Sequence, residues 1–143
     1  MKFRLLIVLC LFSLLIQAQT SPKPTVAEAE QFMKQAEVQL NDVGIKTARA
    51  VWVQENFITD DTEAISADAQ DQLTALVTEL VEKGKRFEGL QMPPELARKF
   101  MLLKLALTAP APHDPSLRKE MTTIATSLDA DYGKGKYCRK PDD

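Results

Sequence analysis

The sequence predicts an all-α fold of long antiparallel helices, and three observations carry that prediction. Apolar residues recur at steps of three and four through four separate segments, a helix-start signal precedes each segment, and no run shows the alternation of a strand.

The first segment opens after Ser21–Pro24, a polar lead-in with two prolines. Thr25 and Glu28 form a T-x-x-E capping box. Val26, Ala29, Met33, Ala36, Leu40 and Val43 then follow, continued by Thr47 and Ala50, for about eight turns before the stretch NFITDD. This seam is narrow and rich in alanine, which suits helices laid side by side, and Gly44 is its weak point. Asp60 and Glu63 supply a D-x-x-E start for a second helix. Its face is Ile65, Ala69, Leu73, Leu76, Val77, Leu80, Val81 and Phe87, and it ends near Gly89. The short link makes the two helices antiparallel neighbours. Pro93 and Pro94 open a third helix, because a proline in the first turn removes an N–H that would lack a partner anyway. That helix carries Leu96, Phe100, Leu103 and Leu107, widened by Met101, Leu102, Leu105 and Ala106, so it is apolar around most of its circumference and reads as buried on several sides. Asp114 and Pro115 start a fourth helix through Leu117, Met121, Ile124, Leu128 and Tyr132, closed by Gly133.

Ahead of these helices, Lys2 and Arg4 precede an apolar run from Leu5 to Ile16, and Ala18 offers a small residue for cleavage. That order is a secretory signal peptide over residues 1–18, followed by a linker over 19–24, and it places the mature chain outside the cell or in a periplasm. The alternative is an uncleaved N-terminal membrane anchor. The run is shorter than the roughly 20 residues of a spanning helix. A lipoprotein anchor is set aside because Leu9, not a small residue, precedes Cys10.

Composition fits a single domain, with 45% hydrophobic and 27% charged residues. The net charge of −2 becomes −4 when residues 1–18, with two basic and no acidic groups, are removed, which does not point to a nucleic-acid binder. Residues 25–82 hold three basic and 12 acidic side chains, whereas residues 83–143 hold 12 basic and eight acidic. An acidic helical pair facing a basic one, or both facing water, explains the split; a basic tail on anionic lipid is the alternative. Cysteines number two, Cys10 and Cys138, so cleavage leaves one thiol in the tail of residues 138–143. It can be free, join two chains, or be half of an intrachain bridge.

Chemistry is sparse. One histidine, His113, stands in a proline-flanked loop and cannot build a site with two histidine ligands. Phosphate-binding glycine loops and the Gly-x-Ser-x-Gly elbow are missing from the sequence. Asp60 and Asp61 are adjacent carboxylates whose ordinary task at a helix start is to complement its dipole. Trp52 is read as a packing residue of the core, with a surface aromatic facing a partner as the alternative.

Two stretches resemble a known family. EAEQFMKQAEVQLNDVGIKTARAVWVQENFITDDTEA is similar to the first long helix and following turn of the angiotensin-converting enzyme family of zinc peptidyl-dipeptidases. LDADYGKGKYC is similar to that family's segment ending in a disulfide-bonded cysteine, so the resemblance spans Thr25 to Cys138. It implies that Cys138 is half of a disulfide whose partner lies beyond Asp143, and that the chain is an N-terminal fragment of a larger helical enzyme. Residues 25–137 would then be lid helices over the cleft, with Phe32, Trp52, Asn56 and Phe57 as lid candidates.

The resemblance implies a parent reaction, the zinc-assisted release of C-terminal dipeptides from oligopeptide substrates. The family's His-Glu-x-x-His motif has no counterpart in this sequence, so no catalytic, cofactor-binding or metal residue is assigned, and zinc is expected only in the parent enzyme. A different class of function is a self-contained exported helical module that binds another protein without catalysis. A lid-only chain joining a separate catalytic chain is a third.

Overall fold

In the computed structural model, residues 23–106 and 111–136 are described. The expectations for the signal segment, for Leu107, for both cysteines and for the tail fall outside them. Four helices make up the fold, α1 (Val26–Asn56), α2 (Asp60–Gly84), α3 (Pro94–Leu105) and α4 (Pro115–Lys134), and no strand occurs among the described residues.

α1 begins as the sequence predicts. The Thr25 hydroxyl accepts from the Glu28 N–H at 3.2 Å, and the Glu28 carboxylate accepts from the Thr25 N–H at 2.8 Å. α2 starts one residue earlier than its acidic signal suggests. Thr59 is the cap, in a reciprocal box with Thr62, and Asp60, Asp61 and Glu63 occupy the first turn, where the dipole favours negative charge. α2 ends at Gly84 and tightens into a 3-10 turn over Lys85–Phe87. The chain then reverses at Gly89, whose φ of +78° is the left-handed conformation that glycine adopts without a Cβ clash.

α1 and α2 form the long antiparallel pair, and α3 and α4 pack at its opposite ends. At one end lies the apolar core, where Ala29, Met33 and Ala36 of α1, Val77 and Leu80 of α2, Phe87, and Leu96, Phe100 and Leu103 of α3 are buried together. Phe32, Phe87 and Phe100 form a ring of three, with centroids 5.5 to 5.8 Å apart. Offset and tilted aromatic contacts of this kind add to their area burial.

The other end is built differently. Ser66 and Ala67 of α2 and Thr122, Thr126 and Ala130 of α4 are the buried residues there. Gln70 donates to Ser66 Oγ at 3.2 Å and to Thr126 Oγ1 at 3.1 Å, and Thr47 donates to the Ala69 carbonyl at 3.1 Å. Small side chains let these backbones approach, and among the described residues no buried side-chain nitrogen or oxygen lacks a partner.

This arrangement corrects the expected face of α4. Leu117, Ile124, Leu128 and Tyr132 are exposed, and the side turned inward carries Thr122, Thr126 and Ala130. Ile65 of α2 is likewise exposed, its expected place taken by Ser66 and Ala67. Gly133 does not close α4, which continues to Lys134. The Ile58 side chain fills the space where a Cβ at Gly133 would stand.

Candidate functional site

The four candidates named from the sequence do not form one cluster. Phe32 belongs to the aromatic core, partly buried between Phe87 and Phe100. Trp52, Asn56 and Phe57 lie together at the far end of α1, about 30 Å along the helix axis from Phe32. Trp52 is 61% exposed and Phe57 63%, so Trp52 is a surface aromatic rather than the core residue first expected. Asn56 donates to the Trp52 carbonyl at 2.7 Å, which satisfies a carbonyl in the last turn of α1. Thr62 Oγ1 donates to the Phe57 carbonyl and fixes the chain as it leaves the helix.

Two larger apolar surfaces lie apart from these four residues. Met101, Leu102 and Leu105 of α3 are exposed. Beside them, Gly84, Phe87, Leu90, Met92, Ala97 and Phe100 line a cleft of about 430 Å³. Its rim carries the Lys104–Glu88 ion pair at 2.6 Å, which holds the Glu88 carboxyl below its usual range. The second surface is the stripe Leu117, Ile124, Leu128 and Tyr132 on α4, with spacing of seven, four and four residues. The sequence displays both stripes. The all-round apolar character of α3 already points to surface that these helices do not bury, whereas nothing in the sequence says that the α4 stripe is left uncovered.

Electrostatics join the halves of the chain as the charge split suggests. Basic residues of the second half meet acidic residues of the first in Lys99–Glu37 at 2.6 Å, Arg118–Asp71 at 2.8 Å, Lys119–Asp68 at 3.2 Å and Lys134–Glu63 at 2.5 Å. Hydrogen bonding to Glu63 raises the Lys134 pKa. At the α4 start, the Asp114 carboxylate accepts from the Ser116 hydroxyl and from the Ser116 and Leu117 N–H groups, which lowers its pKa.

Among the described residues, no group of three or more His, Cys, Asp or Glu side chains is arranged to hold a metal. The zinc implied by the resemblance therefore does not fit these residues, and no chemical step is assigned to them. His113 is an exposed loop residue. No helix among the described residues is long and apolar enough to cross a membrane.

No characterised protein and no solved structure matches the chain. The sequence profile of peptidase family M2, angiotensin-converting enzyme, matches residues 23–143, which takes in every described helix. The aromatic and polar ends of this helical pair are thus parts of one matched unit, and the chain belongs to the angiotensin-converting enzyme family of peptidases.

Proposed function

We propose that these helices are the lid of a secreted metallopeptidase that releases C-terminal dipeptides from oligopeptides. The lid restricts entry to the cleft, and catalysis and zinc reside in residues other than these. Family membership supports the parentage. The observation that carries the lid role is the pair of ordered apolar surfaces left open, Met101, Leu102 and Leu105 on α3 and Leu117, Ile124, Leu128 and Tyr132 on α4. Stripes of this kind belong to helices that pack against further protein. Export with cleavage near Ala18 is part of the proposal, as is a disulfide from Cys138.

The test compares the purified chain, alone and mixed with a catalytic polypeptide of the same family carrying the zinc motif, on a blocked tripeptide. Alone it is expected to release no dipeptide and to bind no stoichiometric zinc, and in the mixture it is expected to associate with the catalytic polypeptide. Zinc-dependent release by the chain alone, or no association, overturns the reading. Intact mass of the exported protein tests the leader, and retention of Met1 or Cys10 counts against its removal.

A second reading, the self-contained protein-binding module, is favoured by the apolar core that the helices bury among themselves and by the absence of unpartnered buried side-chain polar atoms among the described residues. Such a module is monomeric and unfolds cooperatively once Cys138 is blocked. A lid without its enzyme self-associates.

A further inference from the structure

The α2–α4 seam differs in kind from the rest of the interior. α4 contributes no residue to the apolar core that unites α1, α2, the 3-10 turn and α3. Its buried side chains are two threonines and one alanine. Met121 of α4 is half-buried, and the Ile58 side chain lies over Gly133. Three ion pairs span the seam from the first turn of α4 to its last residue, Arg118–Asp71, Lys119–Asp68 and Lys134–Glu63. The Arg118–Asp71 pair is the most shielded, with side chains 14% and 21% exposed, against 46% and 18% for Lys134 and Glu63, whereas Lys119 and Asp68 stand in water at 65% and 59%.

We propose that α4 is a helix latched by charge, which salt releases from α2 while α1, α2 and α3 stay folded. Two kinds of interface respond oppositely to salt. Exposed ion pairs such as Lys119–Asp68 are screened as the Debye length falls from ~30 Å at about 0.01 M to ~3 Å at about 1 M, and the more shielded Arg118–Asp71 pair is screened less. Apolar packing of the kind around Phe87 is not weakened by that change, because it depends on removing hydrocarbon from water rather than on opposed charges. The latch therefore opens first. The segment between α3 and α4 keeps the released helix tethered, and release uncovers Ser66, Ala67 and the acidic row Glu63, Asp68 and Asp71 on α2.

Amide hydrogen exchange on the full, thiol-blocked chain tests this at about 0.01 M and about 1 M sodium chloride. Amides of α4 between Met121 and Ala130 are expected to lose protection by about ten-fold or more at high salt, while those of Met33 to Leu40 and Leu73 to Leu80 keep theirs. Unchanged protection in α4 overturns the proposal, as does a parallel loss across all the helices. At low salt, Asp71→Arg is expected to deprotect α4 alone. Adding Arg118→Asp to it is expected to restore protection, which a mere change of helix propensity would not do. Failure of that double exchange to restore α4 overturns the charge latch.

Discussion

Thr126 of α4 accepts a hydrogen bond from Gln70 of α2 at 3.1 Å, and it does so while only 1% exposed. Replacing it with valine keeps its shape and removes the acceptor. Thr126→Val is expected to destabilise the fold by about 1–2 kcal/mol, read as a lower urea midpoint at unchanged slope. Thr123→Val, on the exposed side of the same helix, should stay within about 0.5 kcal/mol.

The aromatic core responds more strongly. Phe87 is 1% exposed and packs on both Phe32 and Phe100, so Phe87→Ala removes the most deeply buried ring of the three and should cost about 3–5 kcal/mol. Trp52→Ala should change stability by no more than about 0.5 kcal/mol, because the ring is mostly in water. Iodide should quench Trp52 fluorescence in the folded protein nearly as well as after denaturation.

Gly44 lies inside α1, and a Cβ added there meets no atom within 4 Å. Gly44→Ala should therefore stabilise the protein by about 0.5–1 kcal/mol through the restricted unfolded chain, measured as a raised urea midpoint.

Acid should loosen the helix starts before it disrupts the core. The Glu28 pKa is lowered by the Thr25 backbone hydrogen bond, and the Asp114 pKa first by the Ser116 hydroxyl. A carboxyl with a depressed folded pKa contributes stability above its unfolded pKa of about 4, and that contribution disappears as pH falls through the folded value. Stability should be flat from neutral pH down to about 5 and then decline. Glu28→Gln with Asp114→Asn should flatten part of that decline. Lys134 has the opposite sign: its raised pKa gives stability that is complete below its ordinary value and lost in strong alkali.

The open stripes should make the chain associate. Leu117→Lys with Leu128→Lys should reduce self-association and hydrophobic-dye binding of the thiol-blocked protein without lowering its urea midpoint, because both side chains are more than half exposed. A loss of stability in that variant would mean that the stripe packs within the fold.

Capping and proline chemistry made the helix starts legible, since Thr25 with Glu28, Pro94 and Asp114 act on the few residues around them. The starting threonine of α2 was hidden because Thr62 can close a box as Glu63 would, and Thr59 stands one residue before the acidic pair. Which face of α4 turns inward was not legible. The repeat Leu117, Met121, Ile124, Leu128 marks an apolar face without naming what covers it, and α2 offers Ser66, Ala67 and Gln70, a surface better matched to threonine and alanine. Of the lid candidates, the grouping of Trp52, Asn56 and Phe57 follows from their closeness in sequence, while the burial of Phe32 depends on Phe87 and Phe100, which only the tertiary fold brings near.

α1 is unbroken over 31 residues, a rod about 46 Å long held in the aromatic core at one end and tied to α2 along its length, as by Thr47 to the Ala69 carbonyl. Mechanically the α1–α2 pair is a lever. With the pivot at Phe32 and Trp52 about 30 Å away, a tilt of about 5° at the clamp swings the indole through roughly 2.5 Å, more than the length of a carbon–carbon bond. Repacking confined to the three phenylalanines is thereby magnified into a displacement of side-chain size at the opposite tip.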